Sequence, residues 1–240
     1  MKNLSCLAGL MVFVMLAAVS NSFAQDNSLS KKEKKDGWVL LFDGTSLTNW
    51  RTFKNIPGNW AAKDGMLCSE KPINKENPDI LSNDVYENFE LQVDWKLSPQ
   101  GNSGILYHVT EDYDATFYSG PEYQLIDDEG FPEKIQDWQK TGANYAMNPP
   151  MVKAYNAPGT WNHTLIIVNH GHVEHWLNGK KVVEYEMWSD EWKKNKESGK
   201  WKDAPGYGAS KSGHIAFQAS HSGVDGTGVC FRNIKIKKLN

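Results

Sequence analysis

The stretch Phe89-Glu90-Leu91-Gln92-Val93-Asp94-Trp95-Lys96-Leu97 alternates apolar and polar side chains without a break. Successive side chains of a β-strand point to opposite faces, so the five apolar residues would share one face and the four polar residues the other. The stretch therefore predicts a half-buried strand. Similar β-rich runs lie at 104–109, 122–126, 163–169, 173–177, 181–185, 214–219 and 229–236.

The connections between these runs favour antiparallel pairing. Asn178-Gly179 separates two of the runs, and Asn-Gly tolerates the positive φ angles of a type I′ hairpin. Helical periodicity is nearly absent, and strands do not alternate with helices as they do in parallel sheets. The pattern predicts an all-β fold, a jelly-roll sandwich of two antiparallel sheets, with a barrel as the alternative.

The N-terminal residues predict export. Lys2 precedes an uncharged apolar run at 7–19, and the small residues Ser22 and Ala24 follow that run. A basic start, a short apolar core and small residues before the cleavage point are typical of a signal peptide, which we assign to residues 1–24. We therefore expect a periplasmic or secreted protein with no membrane span in the mature chain.

The rest of the chain is expected to form one domain. Residues 25–36 carry many charges and one apolar side chain, a composition that predicts a flexible N-terminal tether. Residues 37–240 are long enough for one hydrophobic core, and we assign them to the jelly-roll domain. Cys68 and Cys230 either form a disulfide in an oxidising compartment or lie buried as small apolar side chains, and both readings stay open.

The composition excludes several classes of function. The chain has 26 Lys and Arg residues and 29 Asp and Glu residues, a balance that does not predict a basic surface for binding nucleic acid. The chain has no Gly-x-Ser-x-Gly motif, nucleotide-binding glycine loop or zinc-type Cys-His spacing. We predict no cofactor and leave a divalent metal open. A metal site at His170, His172 and His175 is disfavoured because these residues surround a turn.

The short stretch Glu122-Tyr123-Gln124-Leu125-Ile126-Asp127 is the first candidate site. On a strand, Glu122 and Gln124 share one face, and a bulge after Ile126 would bring Asp127 onto that face. The row resembles the Glu-x-Asp-x-x-Glu pattern of sandwich-fold glucanases, with an amide in place of the middle acid. Two acids flanking an amide suit sugar hydrogen bonding and acid–base chemistry. The alternative is a solvated polar strand face.

Loops and strand ends supply the other candidates. His221 follows the run at 214–219 and is a candidate acid or base, because loops at strand ends often carry function. Asn102 lies in a glycine-rich turn that could bring it to a ligand, and His108 lies on the run at 104–109, where it could face the same cleft. Trp188, with Trp192 and Trp201 in the same charged stretch, either stacks on sugar rings or fastens that stretch to the sheet.

A set of short motifs follows in order from about Gly37 to Leu239. The motifs are Gly37-Trp38-Val39-Leu40-Leu41-Phe42-Asp43-Gly44, Gly101-Asn102-Ser103-Gly104-Ile105, Gly120-Pro121-Glu122-Tyr123-Gln124, Gly159-Thr160-Trp161-Asn162, Leu177-Asn178-Gly179 and Phe231-Arg232-Asn233-Ile234. This ordered set resembles the 3-keto-disaccharide hydrolase domain family. The resemblance implies a concanavalin A-like jelly roll that cleaves glycosides already oxidised to a ketone at C3.

The resemblance also suggests roles. Because a C3 ketone acidifies the C2 hydrogen, Glu122 or Asp127 would remove it as a base, while His221 or the other carboxyl group would assist the leaving oxygen. The chain departs from the family at Ala219-Ser220-His221, where the family usually has Asp-His-Gly, and at His108, where the family often has Arg. The expected partner is an oxidised 3-keto di- or oligosaccharide or glucoside, and the expected sugar ligands are Gln124, Asn102, His108 and Gln218. The alternative is a non-catalytic carbohydrate-binding module.

Overall fold

The computed structural model describes residues 26–70, 77–219 and 228–240, which form a sandwich of two antiparallel sheets. The predicted all-β jelly roll is confirmed. The larger sheet contains β1 (Trp38–Leu40), β3 (Trp60–Lys63), β4 (Met66–Ser69), β6 (Phe89–Leu97), β9 (Asn162–Asn169), β10 (His172–Leu177), β11 (Lys180–Glu186) and β13 (Val229–Lys238). The smaller sheet contains β2 (Trp50–Thr52), β5 (Ile80–Tyr86), β7 (Asn102–Val109), β8 (Glu122–Ile126) and β12 (Gly213–Phe217). Within these described ranges the helices are α1 (Lys31–Lys35) and α2 (Asp190–Ser198), with 3₁₀ turns at Phe53–Asn55, Thr116–Tyr118 and Asp137–Gln139.

The alternating stretch that predicted the fold forms β6, near the centre of the larger sheet. This strand pairs with β9 on one side and β13 on the other. Its apolar side chains are buried and its polar side chains are partly exposed, as the alternation requires. The predicted hairpin joins β10 to β11, and Asn178 and Gly179 both have positive φ angles, 49° and 80°.

Aromatic stacking joins the two sheets, and a disulfide links two neighbouring strands of the larger sheet. Phe217 of the smaller sheet stacks on Phe231 of the larger sheet with ring centroids 4.2 Å apart. Cys68 of β4 and Cys230 of β13 lie directly opposite each other and are bonded, which settles the alternatives left open by the sequence. The bond joins positions 162 residues apart, so it restricts the unfolded chain strongly.

The predicted flexible tether is wrong for residues 26–36. Ser30 caps α1 in a capping box with Glu33, and Glu33 pairs with Lys235 on β13. Asn27 donates its backbone N–H to Asn233 at 2.7 Å, and Asp26 pairs with Arg232 at 2.7 Å. Charged residues order this segment because their partners are charged and amide side chains on the sheet, which composition alone does not reveal.

The smaller sheet has one face in the core and one face turned away from the larger sheet. Tyr123 and Leu125 of β8 point into the core, while Glu122 and Gln124 lie on the other face, which we call the outer face. The strand order β2-β5-β12-β7-β8 places β7 between β12 and β8, so polar residues from three strands meet there. Among the described residues, no helix combines the length and the apolar content needed to cross a bilayer.

Candidate functional site

An open cleft of about 310 Å³ lies on the outer face of the smaller sheet. Polar residues of β7, β8 and the end of β12 form its floor, and the loops that follow β8 and α2 contribute to its walls. The floor residues are Asn102, Glu122, Gln124, Ile126 and Gln218, and the walls consist of Phe117, Phe131, Glu133, Gln139, Tyr145, Lys200 and Trp201.

Glu122 is the buried acid of this cleft, with only 4% of its surface exposed. Its carboxyl group lies across β7 at Gly104, where a Cβ atom would be 2.3 Å from Oε1, so a larger residue at this position would displace the carboxyl group. Burial is the main reason that the pKa of Glu122 rises to about 8. The negative charge of Asp79 raises it further, and the positive charge of Lys200 opposes the shift.

One amide side chain contacts Glu122, and two more line the same floor. In the orientation that its neighbours favour, the Gln124 amide donates to Glu122 Oε1 at 2.9 Å and to the Ser103 carbonyl at 3.1 Å. The Ser103 hydroxyl donates to the Gln218 carbonyl at 2.8 Å, which fixes the end of β12 beside β7. Asn102 completes the row. Amides both donate and accept, so this floor can bind the hydroxyl and carbonyl groups of a sugar.

Aromatic and cationic side chains form one wall. The Trp201 ring stacks on Tyr207 at 4.4 Å, and its indole N–H donates to the Tyr145 carbonyl at 3.1 Å. Lys200 Nζ lies 4.4 Å from the centre of the Tyr145 ring and 4.9 Å from that of Trp201. The wall therefore presents apolar ring surface and a positive charge to the same cleft.

Asp127 does not join Glu122, contrary to the predicted bulge. It is buried below the end of β8, and its carboxylate accepts hydrogen bonds from the N–H groups of Gln100 and Gly130, both at 2.9 Å. The Glu129 N–H and the Tyr155 hydroxyl also donate to it. Burial alone would raise the pKa of Asp127, but these donors leave it lowered. The strand ends without a bulge, so this carboxylate holds the following turn instead of facing the cleft.

A family described as the 3-keto-alpha-glucoside-1,2-lyase-like domain matches residues 37–237, nearly the whole described sandwich. The chain belongs to this family. The floor residues of the cleft all lie within the matched range.

Relatives extend this assignment. A protein of Bacteroides thetaiotaomicron named 3-keto-disaccharide hydrolase is 29% identical, over 90% of this chain and 83% of the relative. A crystal structure from Parabacteroides distasonis, described as a candidate glycosyl hydrolase, is 43% identical with a TM-score of 0.82, over 90% of this chain and all of that one. A second such structure from that organism is 29% identical with a TM-score of 0.63, over 84% of this chain and 99% of the other.

Two of the predicted sugar ligands lie away from the cleft. His108 is buried, its Nε2 is 2.8 Å from the Glu87 carbonyl, and its ring packs edge-on against Phe89. A positive φ of 55° at His108 interrupts the alternation of β7, so its side chain does not follow the cleft face. Trp188 is half-buried, and its indole N–H donates to the Gly208 carbonyl at 2.7 Å. It therefore fastens the loop after β11 to the fold.

The structure thus brings together Glu122, Gln124, Asn102 and Gln218 of the predicted set, and separates Asp127, His108 and Trp188 from them. His221 lies outside the described residues. Sequence reasoning missed Lys200, Tyr145 and Phe117, which reach the cleft from long loops. Trp201 was recognised only as one member of a tryptophan group, and the available signal was its position beside Lys200 in a long connection.

One cluster has the donor atoms of a metal site. His172, Glu174 and Glu184 have ligand atoms within 4.8 Å of one another on β10 and β11. Lys181 pairs with both glutamates, at 3.3 and 2.7 Å, and His172 Nδ1 lies 2.5 Å from Glu186. Ion pairs already occupy these donors, and the cluster lies on the larger sheet, away from the cleft.

Proposed function

We propose that this protein is a carbohydrate-active enzyme that cleaves glycosides carrying a ketone at C3, with Glu122 as the base. The observation that carries the proposal is a buried carboxyl group with a pKa of about 8 on the floor of an amide-lined cleft. Membership of the 3-keto-alpha-glucoside-1,2-lyase-like family and the similarity to a protein named 3-keto-disaccharide hydrolase support the choice of substrate.

The reaction begins with proton removal next to the ketone. Glu122 takes the C2 hydrogen, the C2–H electron pair forms the C2–C3 double bond, and the ketone oxygen becomes an enolate. The ketone then re-forms, the C2–C3 π electrons form a C1–C2 double bond, and the C1–O bond breaks, so that the leaving oxygen takes up a proton from solvent and departs as an alcohol. Water adds to C1 and a proton returns to C2, so the net result is hydrolysis to a 3-keto sugar and an alcohol.

The cleft residues suit these steps. A base is most effective when its pKa lies near the working pH, and burial brings that of Glu122 to about 8. Lys200 supplies a positive charge on the wall, where it would stabilise an enolate. The amides of Gln124, Asn102 and Gln218 would hold the sugar hydroxyl groups, and the aromatic wall would cover one side of the ring.

The test compares Glu122→Gln with Glu87→Gln, which changes an exposed glutamate at the turn between β5 and β6. Each protein is incubated with 3-keto glucosides in heavy water, and the products are analysed by mass spectrometry and NMR. We expect the wild type and Glu87→Gln to release the alcohol and to place deuterium at C2, and Glu122→Gln to do neither.

A binding module would give a different result. It would release no alcohol and exchange no C2 hydrogen, and it would bind unoxidised sugars equally well with Gln at position 122. Such an outcome would refute the proposed activity.

We also propose that the protein is exported. The predicted signal peptide at 1–24 supports this, and the Cys68–Cys230 disulfide is a bond that persists in oxidising compartments. N-terminal sequencing of the protein recovered from a periplasmic or culture fraction should give Gln25 as the first residue. Recovery of the uncleaved chain from the cytoplasm alone would contradict export.

A further inference from the structure

Asp79 connects two segments of the cleft. It immediately precedes β5, and its Oδ1 accepts the Ala219 N–H at 2.9 Å. Its Oδ2 accepts the hydroxyl of Thr116, a buried residue. Ala219 directly follows Gln218 of the cleft floor, and Thr116 directly precedes Phe117 of the cleft wall. One carboxylate therefore holds a floor residue and a wall residue, each through its neighbour in the chain.

The backbone of Asp79 is also fixed. Its carbonyl accepts the Phe53 N–H at 2.8 Å, where β2 runs into the turn at Phe53–Asn55. An acid anchored on both its main chain and its side chain has little freedom to move. Its charge therefore stays at one place relative to the cleft floor.

We propose that Asp79 is a positioning residue of this site, which fixes the segments carrying Phe117 and Gln218 and keeps a negative charge beside Glu122. The effect of Asp79 on catalysis rests on the proposed function, whereas its hydrogen bonds and its charge near Glu122 do not. Asp79 does not line the cleft, so it acts through its neighbours and through its field, without touching the substrate.

The electrostatic part depends on all charged groups around Glu122. Among the described residues these are Asp79, Lys200 and Glu133, together with the phenols of Tyr145 and Tyr207. Burial raises the pKa of Tyr207 far above its ordinary value, so this phenol stays neutral. Asp79 is the negative group that raises the pKa of Glu122, and Lys200 is the positive group that lowers it. Removing the charge of Asp79 should therefore make Glu122 a weaker base.

The test measures the pKa of Glu122 directly, without substrate. Protein labelled with ¹³C at glutamate carboxyl carbons is titrated by NMR, and Glu122→Gln identifies the resonance. Asp79→Asn keeps the shape and, after rotation of the Thr116 hydroxyl, the hydrogen bonds to Ala219 and Thr116. Asp84→Asn is the matched control, since it removes the same charge from an exposed position on β5. We expect Asp79→Asn to lower the pKa of Glu122 by about one pH unit and Asp84→Asn to leave it unchanged.

A second variant tests positioning without changing charge. Thr116→Val removes one donor to Asp79 and leaves the carboxylate in place. We expect the pKa of Glu122 to stay the same and the KM for a 3-keto glucoside to rise roughly threefold to tenfold. An unchanged KM would overturn the positioning role, and a pKa lowered as far as in Asp79→Asn would overturn the assignment of the field to Asp79.

The outcomes separate this inference from the proposed function. If the NMR pKa falls in Asp79→Asn but no 3-keto glucoside is cleaved by the wild type, the link between the two acids stands and the proposed activity fails. If the wild type cleaves the substrate but the pKa of Glu122 is the same in folded Asp79→Asn, the activity stands and the inference fails.

Discussion

Glu122 begins β8 and Asp127 directly follows it, and both residues are buried, yet the two acids have opposite chemistry. Glu122 faces the cleft and receives one amide hydrogen bond, and burial raises its pKa to about 8. Asp127 receives four hydrogen bonds, which leave its pKa lowered despite burial. Burial raises the pKa of Glu122 and the four donors lower that of Asp127, so burial and donors together decide which acid is reactive and which is structural.

The comparison shows how one strand can present a reactive acid and a structural acid. A carboxylate surrounded by N–H and O–H donors is stabilised in its charged form, so it has little tendency to take a proton. A buried carboxyl group that lacks such donors is more stable in its protonated form, so its pKa is raised. Glu122 is therefore suited to proton transfer and Asp127 to holding the turn that follows β8.

The largest expected effect is on turnover. Glu122→Gln removes the proposed base and should reduce kcat/KM for a 3-keto glucoside by 10²–10⁴-fold or more, on the scale of general base catalysis. Asp127→Asn should keep kcat/KM within a few-fold of the wild type, for the fraction of protein that is folded. Steady-state kinetics on both variants checks this, and a loss of activity in Asp127→Asn equal to that in Glu122→Gln would remove the distinction between the two acids.

The next effect is the pH dependence of stability that Glu122 causes. Between about pH 4.5 and 8 the folded protein keeps the Glu122 proton while the unfolded chain has lost it, so the free energy of unfolding falls as pH rises through this window. The slope from this residue is at most about 1.4 kcal/mol per pH unit. Urea unfolding of Glu122→Gln should lack this contribution. Equal slopes in the variant and the wild type would show that the pKa of Glu122 is not raised.

Asp127 should show the opposite sign. The pKa of Asp127 is lowered in the folded protein, so its carboxylate adds to the free energy of unfolding above the ordinary aspartate pKa. This contribution is lost as the pH falls through the pKa of Asp127 in the folded protein. Asp127→Asn cannot accept from all four donors and should lower the free energy of unfolding by about 1–3 kcal/mol at pH 7, and by less at pH 3. Glu129→Gln, an exposed neighbour on the same turn, is the control. A cost that grows towards low pH would contradict the lowered pKa.

The smallest effect comes from one donor. Tyr155→Phe removes the hydroxyl that donates to Asp127 at 3.1 Å and should cost about 0.5–1.5 kcal/mol of unfolding free energy. The activity and the pH–rate profile should stay as in the wild type, because Glu122 is untouched. A shifted pH–rate profile in this variant would mean that Asp127 takes part in the reaction.

The fold is predicted from the sequence more completely than the candidate site is. The alternation of β6 and the Asn178-Gly179 turn are features of a few neighbouring residues, and the structure confirms both. The two-residue alternation of side chains along a strand also predicted correctly that Glu122 and Gln124 share one face. The predicted position of Asp127 was wrong because it depended on a bulge, and the donors from Gln100 and Tyr155 come from loops that period-two patterns do not describe.

Other parts of the site could not be read from local sequence at all. Lys200, Tyr145 and Phe117 converge on the cleft from three separate loops, so only the folded topology shows that they are neighbours. His108 was misplaced because a positive φ changes the direction of one side chain within an otherwise regular strand. The ordering of residues 26–36 likewise depends on distant partners on β13.

The pH dependence of kcat/KM for the wild type with a 3-keto glucoside is the most direct test of Glu122 as the base. The free-enzyme base must be ionised, so kcat/KM should rise with pH and level off above an apparent pKa of about 8. A plateau already reached at pH 5 would identify a base with a low pKa, such as Asp127, and would contradict the assignment of Glu122.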